Sequence, residues 1–229
     1  MTEREKIMNR IRAALRSTAP YPGAHSGIVH WPPATKSLAS PVQQWLPPGG
    51  ESFAEHIEHF RTRSMELKTD FQLLASAEEA QIALTKIAEI EKWTKIATHN
   101  GTLTDAAVSW LGLPALNTTG GYDVNELEAC DAGVTECDAL IAQTGSLIVT
   151  SRDSGGRALS VLPPHHVVLA RRTQLVRDLS AVFECVQQKY APSYPSMISV
   201  VTGPSRTGDI ERILVLGAHG PKKLTIVCW

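Results

Sequence analysis

The sequence predicts an α/β domain with a mostly parallel sheet, preceded by a helix and a Pro-rich arm. Three observations carry this. From Ser52 onward, short apolar runs alternate with amphipathic helical patterns, the rhythm of strands joined in parallel through helical crossovers. Capping boxes at Thr2–Glu5 and Ser52–Glu55 mark where helices begin. The third is a set of β-branched runs that break at glycine, such as Met197–Val201 before Gly203-Pro204. With 229 residues, 43% of them apolar, the chain can build one large α/β domain plus an extension.

In order, Ile7, Ile11 and Leu15 recur at helical spacing in the first segment. The stretch from Ser17 to about Gly50 holds half of the chain's 14 prolines, so it is neither regular helix nor central strand. Trp31 and Trp45 within it predict an arm that docks on the domain or on a partner. We therefore divide the chain into an extension, 1–50, and an α/β domain, 51–229. The domain opens with a helix carrying Phe53, Ile57 and Phe60 on one face, then a short strand at Phe71–Leu74. Ser76 caps a helix whose core stripe is Ala80, Ala83, Leu84 and Ile87, ending near Trp93. A strand at Lys95–His99 stops at Asn100-Gly101, and Asp105–Leu111 is a short helix. Helices are expected on both faces of the sheet.

The middle breaks the rhythm. Ala139–Gln143 and Ser146–Thr150 flank Thr144-Gly145 and read as two strands joined by a tight turn. Ser151–Arg157 is a polar Gly-rich loop, Ala158–Leu162 one helical turn, and His166–Ala170 a strand. Of His165 and His166, one is expected to face the core and the other the sheet edge. Leu175, Leu179, Val182, Phe183 and Val186 mark an amphipathic helix. Lys222–Cys228 is the last strand, with Trp229 as a plug.

A formal net charge of −1 without a basic stripe argues against nucleic acid as a partner. No apolar segment approaches the ~20 residues that span a bilayer. The start, Met1–Lys6, lacks the apolar core of a signal peptide, so the chain reads as cytoplasmic. Cys130, Cys137, Cys185 and Cys228 form no Cys-x-x-Cys pair and read as reduced, mostly buried thiols. No metal site and no cofactor are expected on this chain; electrons in any redox reaction would travel on another subunit. The G-x-S-x-G elbow and the H-E-x-x-H helix of hydrolases and metalloproteases are both missing from the sequence.

The leading candidate site is Thr202–Glu211, answered by Gly217-Ala218-His219-Gly220-Pro221. The strand before it is expected to deliver the loop to the carboxyl edge of a sheet, where α/β proteins bind ligands. Gly203 frees backbone amides, Ser205 and Thr207 add hydroxyls, and Arg206 offers a planar fork for a carboxylate or phosphate. A short helix carrying Asp209 and Glu211 would follow, its positive end aimed at an anion. His219, between glycines, is placed to donate to a ligand or to act as acid–base. Arg157 is the candidate from the Gly-rich loop, which has neither a Walker A ending nor G-x-G-x-x-G.

Three segments together resemble the LUD-domain (lactate-utilization) family: Gly133–Ser146, Leu162-Pro163-Pro164-His165-His166, and Thr202–Glu211 with its Gly217–Pro221 partner. The resemblance covers roughly residues 52–229, and size and N-terminal helix are most similar to the family's small third component. It adds Thr144 and Gly145 to the candidate ligand-binding residues. It implies a Rossmann-like domain similar to the sugar-isomerase, CoA-transferase and formyltetrahydrofolate cyclo-ligase superfamily. It also implies a role in oxidising L-lactate to pyruvate beside two iron–sulfur partners, lactate-utilization proteins A and B, whose clusters would carry the electrons. No catalytic residue is carried over. Where the family usually has Ala-Glu-Thr-Gly, this chain has Ala142-Gln143-Thr144-Gly145; an amide is no nucleophile, so a covalent role there is lost and a binding or structural one survives. Alternatives are a stand-alone enzyme on a sugar phosphate, CoA ester or folate, and an assembly factor for the lactate-oxidising complex.

Overall fold

The computed structural model describes residues 3–16, 47–207 and 215–229. Contacts divide the chain into two units, 1–45 and 46–229. In the first, helix α1 spans Glu3–Arg16, as the apolar spacing predicts. The Thr2 cap and the arm over residues 17–46, with Trp31 and Trp45, lie outside the described residues.

The second unit begins with α2, Phe53–Glu66. Ser52 Oγ accepts the Glu55 amide and the Glu55 carboxylate accepts the Ser52 amide, closing the predicted capping box. There follow β1 (Asp70–Leu73), α3 (Ala77–Glu91), β2 (Ile96–Thr98), α4 (Thr102–Leu111), β3 (Ala115–Asn117), α5 (Val124–Glu128) and β4 (Ala132–Glu136). Next come β5 (Ala139–Ile141), β6 (Ser146–Thr150), β7 (His165–Ala170), β8 (Leu175–Val176), α6 (Leu179–Tyr190) and β9 (Ile198–Val201). The chain ends with β10 (Arg206–Thr207), β11 (Val215–Leu216) and β12 (Lys223–Cys228).

Six strands form a wholly parallel sheet in the order β1-β12-β7-β4-β2-β3. A second sheet, β8-β5-β6-β9, is antiparallel except for the β5–β8 pair. The sheets pack face to face through a core of Phe60, Leu140, Leu147, Val149, Val168 and Ile226. On the far side of the parallel sheet, α3 and α4 cover Ile96, Val134, Val167, Leu169 and Val227. Behind the second sheet, α6 covers Ala139, Ile141 and Ile148 with Val182 and Val186. Period-two alternation makes this possible: in β6, Leu147 and Val149 face one core and Ile148 the other.

Three expectations are corrected. Helices alone do not cover both faces of the parallel sheet; the β5–β6 hairpin, apolar on both sides, supplies a sheet as most of the second layer, with Ile57 and Phe60 of α2 packed beside it and α6 behind it. Leu175 belongs to β8 rather than to the helix, which starts at Leu179 behind the Asp178 cap, and Phe183 is 60% exposed. His165 and His166 are both buried, because β7 is flanked by β12 and β4 and both side chains are covered where the strand begins. Cys130, Cys137 and Cys228 are buried and Cys185 is exposed, all as free thiols. Burial pushes the Cys228 thiol up to about 11. Trp229 packs against Trp110, with ring centroids 5.9 Å apart. No helix among the described residues is long and apolar enough to cross a membrane.

Candidate functional site

The signature loop leaves β9 at Val201, and β9 runs antiparallel to β6, pairing Leu147 with Val201 and Thr150 with Ile198. Its end therefore meets the start of β6, where Ser146 Oγ and Thr202 Oγ1 share a hydrogen bond of 2.8 Å. This is the amino edge of the parallel sheet, not the expected carboxyl edge: Pro204 shares a cavity wall with Asp70 and Lys222, at the starts of β1 and β12. The antiparallel register of β9 causes the reversal. Arg206 and Thr207 form β10, paired with β11. Gly208, Asp209 and Glu211 lie outside the described residues, as does the helix expected there.

The two halves of the motif do meet. The Ser205 amide donates to the Pro221 carbonyl (2.9 Å), and the Gly217 amide donates to the Ser205 carbonyl (2.9 Å). His219 is exposed on the segment so held. At Gly203, φ is +82°, and a Cβ there would lie 3.0 Å from the Leu67 carbonyl and 3.2 Å from Arg206 Nη2. Gly145, at the hairpin tip (φ +65°), would place a Cβ 2.6 Å from Arg63 Cβ. The structure thus gathers Thr144, Gly145, Gly203 and Arg206 around the end of α2. Among the described residues, Thr144 Oγ1 is buried there without a hydrogen-bond partner, and so are Ser64 Oγ and Thr69 Oγ1. Arg206 is exposed and has no ion-pair partner among the described residues. Arg157 stands apart: its Nη2 donates to the Ser196 carbonyl (3.2 Å), just ahead of the opposite end of β9.

At the carboxyl edge lies a polar cluster that the sequence reading missed. Glu136, ending β4, accepts the first amides of α4, from Leu103 (2.7 Å) and Thr104 (3.3 Å), and so sits on the positive end of that helix. The missing side chain of Gly101 makes room: a Cβ would fall 2.3 Å from Glu136 Oε1. His99 Nε2 accepts the Glu136 amide (3.0 Å) and Nδ1 faces the Asn100 carbonyl (3.0 Å), so the ring is neutral with its proton on Nδ1. Burial holds its pKa below the usual value, against the raising pull of the Asn100 carbonyl and Glu136. The Gly-rich loop closes over it through Thr118 Oγ1, which donates to the Gly155 carbonyl (2.9 Å). The available signals were the strand stop at Asn100-Gly101 and the glutamate within the Gly133–Ser146 motif; nothing local joins them, since 33 residues separate Glu136 from Leu103.

Asp138, Asp153, Lys189 and Tyr190 form a second network. Lys189 Nζ pairs with Asp138 and, at 2.7 Å, with Asp153; Tyr190 OH donates within reach of Asp138 (2.8 Å) and Asp153 (3.0 Å). Burial alone would push Asp153 up, but Lys189 and Tyr190 hold it below the ordinary carboxylate range. Gln143 proves structural: its Nε2 donates to the Pro47 carbonyl (2.9 Å) and its Oε1 faces the Leu179 amide (3.5 Å). A glutamate could not make the first bond.

Residues 57–228 match the LUD domain family. The chain belongs to that family. Relatives named lactate utilization protein C include one from Deinococcus radiodurans, 35% identical over 126 residues, or 51% of this chain and 58% of that protein. Others are from Anoxybacillus flavithermus, 32% identical over 48% of this chain and 49% of that one, and Bacillus subtilis, 29% identical over 47% and 46%. The chain spans about half the length of the curated relatives it matches. A crystal structure of a DUF162 family protein from Deinococcus radiodurans shares the fold, with a TM-score of 0.61 at 24% identity, covering 78% of this chain and 99% of that one.

Proposed function

We propose that this chain is a component of an L-lactate utilization system and binds a small carboxylate- or phosphate-bearing ligand at the signature loop. Membership of the LUD family and the names of the relatives support the pathway. One geometric observation supports the ligand: the exposed Arg206 guanidinium has no ion-pair partner among the described residues and lies beside the bare backbone of Gly203. Ser205 and Thr207 flank it, and His219 and the Thr144-Gly145 tip complete the surroundings. In this reading electrons travel on iron–sulfur clusters of lactate-utilization proteins A and B, and this chain supplies recognition.

The test is growth on L-lactate as sole carbon source after deletion of the gene, with complementation by the wild type and by Arg206→Ala. Loss of growth rescued only by the wild type is expected. Normal growth of a deletion strain that lacks any second lactate oxidase would overturn the pathway assignment. Turnover of a sugar phosphate, CoA ester or folate by the purified chain alone would favour the stand-alone enzyme instead.

A further inference from the structure

A cavity of about 710 Å³ runs along the outer edge of the parallel sheet, between β1 and α3. It falls in the range of ~300–1,000 Å³ typical of pockets for drug-sized ligands. Among the described residues, the edge strand β1 pairs with β12 alone. Ile82, Ile87 and Ile90 line the helix wall, and Leu74 and Leu224 the sheet side. Ile82 and Ile90 are 68% and 66% exposed, although they sit on the same helix as the fully buried Leu84.

The cavity wall carries four lysines against three carboxylates, a small positive surplus. Asp70 accepts from Gln72 (2.8 Å), Glu79 from the Ala75 amide (2.8 Å), and Glu91 pairs with Lys223 (2.6 Å). Lys68, Lys86 and Lys222, also on the cavity wall, have no hydrogen-bond or ion-pair partner for their ammonium groups among the described residues. His165, also on the cavity wall, is only 5% exposed; its Nε2 bonds to Thr225 (2.9 Å), while its Nδ1 has no partner among the described residues. A buried imidazole nitrogen without a partner costs free energy until something fills the position.

We propose that this groove binds an amphipathic anion: a molecule with an aliphatic or aromatic body and a carboxylate or phosphate head. The body lies against Ile82, Ile87, Ile90 and Leu74, and the head meets the lysines. A polar atom of the ligand completes the bonding of His165. A three-carbon hydroxy acid would leave most of this volume empty, so the ligand here is larger and more apolar than lactate. Pro204 of the signature loop touches the cavity wall, but the inference rests on the β1–α3 residues, and the variants below leave Arg206 and the loop unchanged.

The test uses the full chain with octanoate and octyl phosphate as probes, and L-lactate and inorganic phosphate as controls. Calorimetry is combined with emission from Trp93, which packs edge-on against His165 at 5.3 Å between ring centroids. At least one octyl probe is expected to saturate with a Kd of about 1 mM or tighter, and which head is preferred separates carboxylate from phosphate; the controls should not saturate. Ile82→Asp and Lys86→Glu change exposed side chains and should leave the thermal midpoint in place while weakening binding about tenfold each. Lys86→Arg should retain binding. Absence of saturation with both octyl probes would overturn the proposal. So would unchanged affinity in both disruptive variants, equal binding of L-lactate, or a change of oligomeric state in Ile82→Asp without probe binding by the wild type, which would make a second copy the occupant.

Discussion

At the carboxyl edge of the parallel sheet, Glu136 already occupies the amides that open α4, and His99 is held between two backbone groups. At the amino edge, Arg206, Lys68 and Lys222 have no ion-pair partner among the described residues, and Thr144 Oγ1, Ser64 Oγ and His165 Nδ1 are buried without one. Open α/β sheets ordinarily bind ligands outside the carboxyl ends of their strands, where successive connections diverge. The divergence exists here between β2, which continues to β3, and β4, which continues toward β7. The protein's own carboxylate fills it. An end whose polar groups satisfy one another is architecture, whereas an end with surplus cations is where an anion gains most.

The largest effect expected of this arrangement is on acid stability, which touches both ends. Burial lowers His165 to about 4 and His166 to about 3 from an ordinary 6.5, and holds His99 down as well. The unfolded imidazoles take up protons at a higher pH than the folded ones. Stability is therefore complete above about 6.5 and is lost as pH falls toward the folded values, by on the order of several kcal/mol in all. Urea titrations across that window check it; a flat profile would mean that the imidazoles are solvated. Next is Asp138→Ala at the carboxyl edge, expected to cost about 3 kcal/mol, because the Asp138 side chain is 7% exposed and its loss leaves Lys189 with Asp153 as its one carboxylate and Tyr190 with Asp153 and Thr150. Glu136→Ala should cost about 2 kcal/mol and Glu136→Gln, whose amide oxygen can still accept, about 1 kcal/mol. If added acetate restored the alanine variant, the carboxyl edge would be a latent anion site and the contrast between the ends would break.

Gln143→Glu is expected to cost about 1 kcal/mol in urea unfolding, since a carboxylate would then face the Pro47 carbonyl. The smallest effect sharpens the comparison most. Arg206→Ala should change stability by no more than about 0.5 kcal/mol, the ordinary range for an exposed side chain, while removing complementation on lactate. A large loss of stability would make Arg206 part of the architecture.

Much of the fold was legible because local rules agreed with it. The Ser52 capping box, the Ser76 cap and the Thr144-Gly145 turn lie within two residues of where their patterns place them. Strand β4 was missed as an element: Ala132-Gly133-Val134-Thr135-Glu136 has little apolar alternation, because a Cβ on Gly133 would sit 2.4 Å from the Leu159 carbonyl and Thr135 is spent on His166 at 2.9 Å. Those are demands of tertiary neighbours and leave no periodic trace. Leu175 fits the 3.6-residue period of Leu179, Val182 and Val186, but pairing with Leu140 overrides that period.

For the candidate site the division is the same. The sequence by itself determined which residues make the signature loop, that glycine is needed in it, and that the chain is an α/β protein of the LUD type, because these depend on local backbone freedom and on spacing along the chain. Only the tertiary structure decided which end of the sheet the loop occupies and which charges there are free. Strand direction depends on which strand β9 pairs with, and charge balance depends on partners that meet across many residues. One antiparallel pairing, β6 with β9, carried the loop from the expected edge of the sheet to the other.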